Sequence, residues 1–245
     1  MHNERLRVLL LERGVKLEDL AAAIDVDPKT IERWITKGRV PYRANRYAVA
    51  AYFGVDEAEI WPHALTSAQV AAASESEVAA FYPHRWAVPR DAWQRLFEKA
   101  QQEIGILVYS GLFLAEDQGV MRVLSRKADA GAQVRILLGD PDSEFVAQRG
   151  ADEGIEEAMA AKIRNVLVLT RPLRALAGVE VRLHRTVLYN SIYIADDQAL
   201  VNCHIYGVAG ANAPVLHLRK VAGGDMLATY VESFERVWKK ATPVE

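Results

Sequence analysis

Eight polar side chains in the second half of the chain are candidates for a ligand pocket, and most of them are imidazole, amide or guanidinium groups of the kinds that bind phosphate. Asn202 and His204 are two residues apart, so in a strand they project from one face, and His217 and Arg219 have the same spacing. Asp140 follows an apolar run, at a position where open α/β sheets bind ligands. Each residue alone is more typical of a satisfied polar group in the core or at its edge than of a ligand contact. Together they predict a pocket for a phosphorylated small molecule or nucleotide, with the candidate ligand-binding residues Asp140, His184, Asn190, Ser191, Asn202, His204, His217 and Arg219.

A second group of candidate residues is a cluster of positive charge near the start of the chain. Residues 29–46 contain six cations and one anion, a local balance of +5, although the whole chain has a net charge of -2. Contact with nucleic-acid phosphates depends on such local clustering rather than on the average charge. The cluster therefore predicts DNA binding, and the alternative is a small helical bundle with a solvated basic face.

Several other chemistries are excluded by the sequence. It contains no GxxxxGK[ST] loop, no GxGxxG after a strand, no HExxH and no EF-hand spacing. Cys203 is the only cysteine, which excludes an internal disulfide and a cysteine-rich zinc site. We therefore expect no metal and no cofactor. With 51% hydrophobic residues and no apolar run long enough for a membrane helix, we expect a soluble, folded, cytoplasmic protein.

Residues 1–62 are predicted to form a string of short helices, followed by an Ala- and Ser-rich linker over 63–78. Asp27-Pro28 is a helix start signal, with Asp27 as the N-cap, and Gly38 ends that helix. Tyr47, Ala50, Ala51 and Phe53 predict a further helix after it. Two short helices joined by a tight turn fit a helix-turn-helix, whose second helix enters the major groove of DNA.

Residues 79–245 alternate strand and helix patterns, which predicts an α/β sandwich with a mixed sheet. The domain opens with a helix whose apolar positions run from Trp93 to Ile104. A hairpin is expected at 191–207, turning at Asp196-Asp197-Gln198. The other predicted strands are 104–110, 133–140, 179–184 and 215–220, and the other predicted helices are 118–131, 151–170 and 225–241.

The N-terminal segment LEDLAAAIDVDPKTIERWITKGRVP resembles the phage-repressor (Cro/XRE) class of bacterial helix-turn-helix domains. The resemblance rests on Leu20, Ala21, Ile24, Val26, Thr30, Ile31, Trp34 and Gly38. It implies that the exposed positions of the second motif helix, Lys29, Thr30, Glu32 and Arg33, read bases. It also implies that Lys37, Arg39 and Arg43 contact phosphates.

The C-terminal segment resembles the phospholipase D-like fold, through AGAQVRILLGD, VRLH and the order of elements. Active members of that superfamily carry His-x-Lys-x4-Asp followed by Gly-Ser-x-Asn. Here His184 matches, but Thr186 replaces the Lys and Ser191 replaces the Asp, while Asn202 lacks the Gly-Ser before it. The loss of two charged groups removes stabilisation of the transition state. The resemblance therefore implies a domain without catalysis that binds a ligand.

The sequence as a whole predicts two domains, an all-α helix-turn-helix bundle followed by an α/β phospholipase D-like domain with a mixed sheet. We expect a transcription regulator that binds an operator in double-stranded DNA as a homodimer, with the second domain sensing a phosphorylated effector or mediating dimerisation. One alternative is a phosphodiesterase or nuclease with His184 as nucleophile in a homodimeric site. Another is a C-terminal domain that is only a dimerisation scaffold.

Overall fold

The computed structural model describes residues 3–55, 57–61, 64, 75–221 and 224–244. The chain divides into two compact units, Met1–Ala72 and Ala73–Glu245, and each is described by itself. Most of the predicted linker, 63–78, lies outside the described residues. Its last part, 75–78, is described and falls in the second unit.

The first unit consists of short helices whose ends follow local sequence signals. At the start of α3, the Asp27 carboxylate accepts a hydrogen bond from the Lys29 amide at 2.8 Å, and Pro28 occupies the first helical position. The helix ends at Gly38, whose φ of 59° is a left-handed conformation that favours glycine. The helices are α1 (Glu4–Glu12), α2 (Leu17–Ala23), α3 (Pro28–Lys37), α4 (Arg43–Phe53) and α5 (Glu57–Ile60).

The predicted helix α4 is present, and a charged residue lies on its buried side. Tyr47 and Ala51 face solvent, and the inward residues include Val49 and Arg46. Arg46 is buried because its guanidinium donates to the Glu57 carboxylate at 2.5 Å and to a backbone carbonyl at 2.7 Å. A long side chain whose charge is paired can pack inward in this way. Arg46 therefore does not belong to the exposed positive charge counted in the sequence.

The second unit is built on one mixed sheet of eight strands, with the order β1-β7-β6-β5-β2-β3-β4-β8. Strands β2, β3 and β4 are parallel to one another, whereas all other neighbours pair antiparallel. This confirms the predicted α/β class with a mixed sheet. The strands are β1 (Val78–Tyr82), β2 (Glu103–Leu107), β3 (Gln133–Gly139), β4 (Val179–His184), β5 (Asn190–Ala195), β6 (Gln198–Cys203), β7 (Val215–Arg219) and β8 (Thr242–Pro243).

Helices cover both faces of this sheet. On one face, Trp93 of the first long helix packs edge-on against Tyr193 of β5, with ring centroids 4.9 Å apart. On the other face, the aromatic ring of Phe234 lies over Gly105, where an added Cβ would come within 3.2 Å of it. The helices of this unit are α6 (Arg90–Lys99), α7 (Leu112–Ala115), α8 (Gln118–Asp129), α9 (Glu144–Asp152), α10 (Ala158–Leu169), α11 (Arg171–Arg174) and α12 (Met226–Lys240).

Three element predictions were wrong in detail. The single helix expected over 151–170 is two helices, α9 and α10, because Gly154 and Glu156 adopt positive φ values between them. The helix expected to continue to Ile104 ends at Lys99, and Ile104 lies in β2. Strand β1 was not predicted; it is a short strand at the sheet edge and begins within the predicted linker. In the described part of the chain, no helix has the length and apolar content needed to cross a membrane.

Candidate functional site

Three cations of α3 form a row on the side opposite its buried anchors. Ile31 and Trp34 pack into the core of the first unit, which leaves Lys29, Arg33 and Lys37, each four residues apart, on the exposed side. Arg39 and Arg43 continue the positive charge beyond the helix. The name basic face is used below for the exposed residues Lys29, Arg33, Lys37, Arg39 and Arg43.

The basic face carries unneutralised charge. Among the described residues, none of its five cations makes an ion pair. Thr30 is half-buried and Glu32 is exposed, both next to the row. Cations held on a short, well-capped helix without carboxylate partners are free to contact phosphates or the acceptor atoms of bases.

The second unit contains a polar cavity of about 130 Å³ above one end of strands β5 and β6. Three predicted ligand-binding residues meet there, namely Ser191, Asn202 and His204. The name polar cavity is used for the space lined by these three residues together with Arg85, Tyr109, Lys162, Tyr193 and Gly210.

A hydrogen-bonded pair, Ser191 and His204, forms part of the cavity wall. The His204 Nε2 atom lies 3.0 Å from the Ser191 hydroxyl, and its Nδ1 atom lies 3.1 Å from the Leu188 carbonyl oxygen. Because a carbonyl only accepts, Nδ1 carries the proton and Nε2 accepts from the serine hydroxyl. Burial, reinforced by the nearby Arg149 guanidinium, lowers the pKa of His204 to about 4. The imidazole is therefore neutral at pH 7.

The side chain of Asn202 has an unused acceptor. Its amide nitrogen donates to the carbonyl oxygens of Ala213 at 3.2 Å and Pro214 at 3.1 Å, which fixes the orientation of the amide. The residue is fully buried, and no donor among the described residues bonds its Oδ1 atom. A buried acceptor without a partner is costly. A donor from a ligand would relieve that cost.

Positive charge predominates around the polar cavity. Arg85 and Lys162 line it, and neither makes an ion pair within the described residues. The one carboxylate of the lining, Glu153, already pairs with the buried Arg149 guanidinium at 2.5 Å. Burial raises the pKa of Tyr193, so its hydroxyl stays protonated. The cavity thus offers cationic and neutral donors, which suits an anionic group.

Two other predicted residues, His184 and Asp140, lie at the end of neighbouring strands but do not line the polar cavity. His184 is 2% exposed, and its Nε2 atom donates to the Val108 carbonyl at 3.1 Å. Burial lowers the pKa of His184 to about 4. Asp140 caps a turn by accepting from the Asp142 amide at 3.0 Å and lies 3.6 Å from the Arg185 guanidinium.

The remaining predicted residues, Asn190, His217 and Arg219, do not line the polar cavity. Asn190 pairs with Cys203 at the start of β5. His217 bonds the Gln198 side chain at 3.0 Å, and the Arg219 guanidinium donates to the Ser76 carbonyl at 2.9 Å. His217 and Arg219 both lie in β7, two residues apart, as their spacing predicted. Strand β7 is nearer to the edge of the sheet than β5 and β6, which carry cavity residues.

Sequence reasoning missed Arg85, Tyr109, Lys162 and Tyr193. Arg85 lies in a one-turn 3₁₀ helix, Arg85–Ala87, and Lys162 in α10. Both come from outside the strands, so no strand-period pattern could find them. Among the described residues, no group of three side chains is arranged to hold a metal ion.

Residues 75–245 match the family model described as "Domain of unknown function (DUF5919)". No curated protein matches the chain. The matched segment covers all but the first two residues of the second unit, including every residue that lines the polar cavity.

Three solved structures resemble the chain at low identity. TrmBL2, an archaeal chromatin protein with a novel mode of DNA binding, has a TM-score of 0.45 and 15% identity over 69% of this chain and 55% of its own. Nuc, a phospholipase D family member from Salmonella typhimurium, has a TM-score of 0.40 and 12% identity over 68% and 95%. Phosphatidylserine synthase from Haemophilus influenzae Rd KW20 has a TM-score of 0.41 and 14% identity over 62% and 36%. The chain thus spans about half the length of TrmBL2.

Proposed function

The chain belongs to the DUF5919 family, and from that premise we propose that it is a DNA-binding transcription regulator whose second unit binds a small phosphorylated effector. One observation carries the DNA-binding part, namely the basic face, whose exposed cations have no ion-pair partner in the part of the chain that the structure describes. In this proposal α3 is the recognition helix, as the resemblance to Cro/XRE regulators implies. Arg33 and its neighbours contact bases, and Lys37, Arg39 and Arg43 contact phosphates.

A single short helix reads too few base pairs for useful specificity, so we propose a homodimer on a two-fold operator. The second unit supports this with a group of exposed apolar side chains, in which Tyr189, Ile205 and Tyr206 are 78%, 43% and 85% exposed. The Tyr189 carbonyl accepts from the His204 amide at 2.9 Å, so the two segments are adjacent. Such a patch is typical of an interface.

The effector part of the proposal rests on the polar cavity. Arg85 and Lys162 supply positive charge there, and Ser191, Asn202 and His204 supply neutral polar groups. An effector would regulate DNA binding by favouring one arrangement of the dimer over another.

We propose that the second unit does not catalyse phosphodiester hydrolysis. The alternative with His184 as nucleophile is disfavoured because that imidazole is 2% exposed and bonded to the Val108 carbonyl. The protein should not release nitrophenol from bis(p-nitrophenyl) phosphate above background. Hydrolysis that disappears in Ser191→Ala or His184→Ala would overturn this part of the proposal.

The DNA-binding part is tested with Arg33→Ala. Duplexes enriched from a random pool by the native protein serve as the specific probe, and a scrambled duplex is the nonspecific probe. Loss of a base contact should weaken specific binding by about 10- to 100-fold, corresponding to about 1–3 kcal/mol, and reduce discrimination between the two probes. Fluorescence anisotropy measures both affinities.

Arg122→Ala is the matched control, because it removes from α8 of the second unit an exposed arginine that has no ion-pair partner among the described residues. It should leave both affinities unchanged. An equal loss for Arg33→Ala on both probes would show that Arg33 contacts only phosphates. A native protein that enriches no sequence from the pool would refute specific DNA recognition.

A further inference from the structure

A second cavity, of about 250 Å³, adjoins the polar cavity. Its walls are largely flat and apolar, formed by Trp86, Trp93 and Phe113 among others. Arg85 and Ala211 line both spaces, so one continuous ligand could extend from one into the other past these residues. The name aromatic cavity is used for this second space. Taken together, the two cavities reach the size range of small-molecule sites, about 300–1,000 Å³.

The aromatic cavity presents flat groups with accessible faces. Trp86 is 69% exposed and stacks on His84, with ring centroids 5.1 Å apart and an interplanar angle of 18°. The Arg85 guanidinium lies 4.1 Å from the centroid of the Phe113 ring. Flat rings stack favourably on indole and guanidinium planes. An exposed tryptophan beside such a cavity therefore suits a planar aromatic group.

Two short 3₁₀ helices hold these groups in place. The His84 ring nitrogen Nδ1 donates to the Asn212 carbonyl at 2.9 Å, which ties the segment Arg85–Ala87 to the segment Gly210–Asn212. The rim adds an ion pair between Arg90 and Asp117 at 2.9 Å. A charged rim fits a heterocycle with polar edges better than a hydrocarbon chain.

The polar cavity restricts the other end of the ligand. A methyl group added at Gly210 would lie 3.5 Å from Arg85 Nη1 and 3.6 Å from Asn202 Oδ1, so both groups face one point. The arginine favours an anion there, and Asn202 Oδ1, which no described residue bonds, favours a hydrogen-bond donor. A fully ionised phosphate satisfies only the first preference. A phosphate with a hydroxyl close to it satisfies both.

We propose that the effector is an aromatic phosphomonoester of the nucleoside 5′-monophosphate class. Its phosphate and a sugar hydroxyl occupy the polar cavity, and its ring system stacks beside Trp86 in the aromatic cavity. This inference rests on the proposed effector binding by the second unit and does not depend on DNA binding by the first.

Calorimetric titration of the full chain tests the class of ligand with four probes, which are inorganic phosphate, ribose 5-phosphate, adenosine 5′-monophosphate and hexyl phosphate. Affinity should rise from phosphate to ribose 5-phosphate through the hydroxyl donor. It should rise about tenfold further for adenosine 5′-monophosphate through stacking. Hexyl phosphate should bind no better than ribose 5-phosphate.

Two variants locate the binding. Trp86→Ala should lose the tenfold gain of adenosine 5′-monophosphate and keep the affinity for ribose 5-phosphate. Phe81→Ala, which removes another exposed aromatic ring (61% exposed) from β1, is the matched control and should change neither value. Gly210→Ala places a methyl group in ordinary contact distance between Arg85 and Asn202, so it should weaken all phosphate probes without unfolding the protein.

Each other outcome overturns a stated part. If adenosine 5′-monophosphate binds no tighter than ribose 5-phosphate, or if Trp86→Ala keeps the gain, the aromatic part is wrong. If hexyl phosphate equals adenosine 5′-monophosphate, the second cavity binds apolar chains instead. If no probe binds, the anion site and the proposed effector function both fail, whereas the DNA-binding test with Arg33→Ala still stands.

Discussion

Two sets of arginines, one from each unit, differ in whether a carboxylate neutralises their charge. In the first unit, Arg33 and Arg43 are exposed and have no ion-pair partner among the described residues. In the second unit, Arg135 of β3 binds the carboxylates of Glu103 and Glu235 on both sides. Its guanidinium also lies 4.9 Å from the centroid of the Phe234 ring. One set of charges is open to a partner, and the other stabilises the fold.

This difference shows where a charge contributes to function rather than stability. An exposed, unpaired cation gives little to folding and keeps its full attraction for an anion. The fold shifts the pKa of a buried ionisable group. A change of pH that alters the charge of that group therefore also alters the free energy of unfolding. The second unit extends the principle to its histidines, because burial lowers the pKa values of His184 and His204 to about 4.

The largest expected effect is loss of stability on acidification. In the unfolded chain, His184 and His204 bind protons near their ordinary pKa of about 6.5, whereas in the folded chain they bind them near 4. Between these pH values the unfolded state holds more protons, so the free energy of unfolding decreases as the pH falls. Relative to strongly acidic solution, each neutral histidine adds about 3 kcal/mol to the free energy of unfolding. This contribution is fully present above pH 6.5 and is lost as the pH falls through 4. Urea unfolding at pH 7.5, 6.5, 5.5 and 4.5 measures the decrease.

The variant His184→Gln tests the assignment of this acid sensitivity. Glutamine keeps an N–H group for the Val108 carbonyl and does not titrate. The variant should show a clearly shallower dependence of the free energy of unfolding on pH than the native chain. A native profile that is flat from pH 6.5 to 4.5, or a variant with the full native slope, would show that His184 is not buried as described.

A smaller loss is expected when the paired arginine of β3 is replaced. Arg135→Met should lower the free energy of unfolding by about 2 kcal/mol, because Glu103 and Glu235 lose their common partner and repel each other. DNA affinity should not change, since Arg135 lies outside the basic face. Urea unfolding and fluorescence anisotropy measure the two quantities on the same samples.

Two further variants sharpen this result. Arg122→Met should change the stability by less than about 0.5 kcal/mol, because Arg122 is exposed and forms no ion pair with any residue that the structure describes. Adding Glu235→Gln to Arg135→Met should restore part of the loss by removing one of the two repelling carboxylates. If the double variant is less stable than Arg135→Met alone, repulsion is not the cause.

The helical unit could be predicted well because its signals are local. Asp27, Pro28 and Gly38 define the ends of α3 from positions next to the helix, and the spacing of Ile31 and Trp34 defines its buried side. The same reasoning failed for Arg46, whose burial depends on the Glu57 carboxylate eleven residues later. In the second unit, the strands around Ser191 and Asn202 followed from their apolar pattern.

The composition of the polar cavity could be predicted only in part, because its residues are far apart in the sequence. Ser191, Asn202 and His204 all lie within the predicted hairpin, 191–207, and all three were among the candidate residues. Arg85 and Lys162 reach the cavity from a 3₁₀ helix and from α10. Only the order of strands in the sheet brings these segments to one place, and neither residue has a local pattern that marks it.

The smallest expected effect concerns the outer cations of the basic face. Lys37→Ala and Arg43→Ala should each weaken DNA binding by about 3- to 10-fold, equally on specific and scrambled duplexes, because phosphate contacts carry no base preference. Each should also lower the slope of log affinity against log salt by about 1. Because neither residue has an ion-pair partner among the described residues, the free energy of unfolding should change by less than about 0.5 kcal/mol. A variant that loses stability would show that the replaced cation contributes to the fold, as Arg135 does. A variant that loses affinity for only one duplex would show that the replaced cation does not contact phosphates alone.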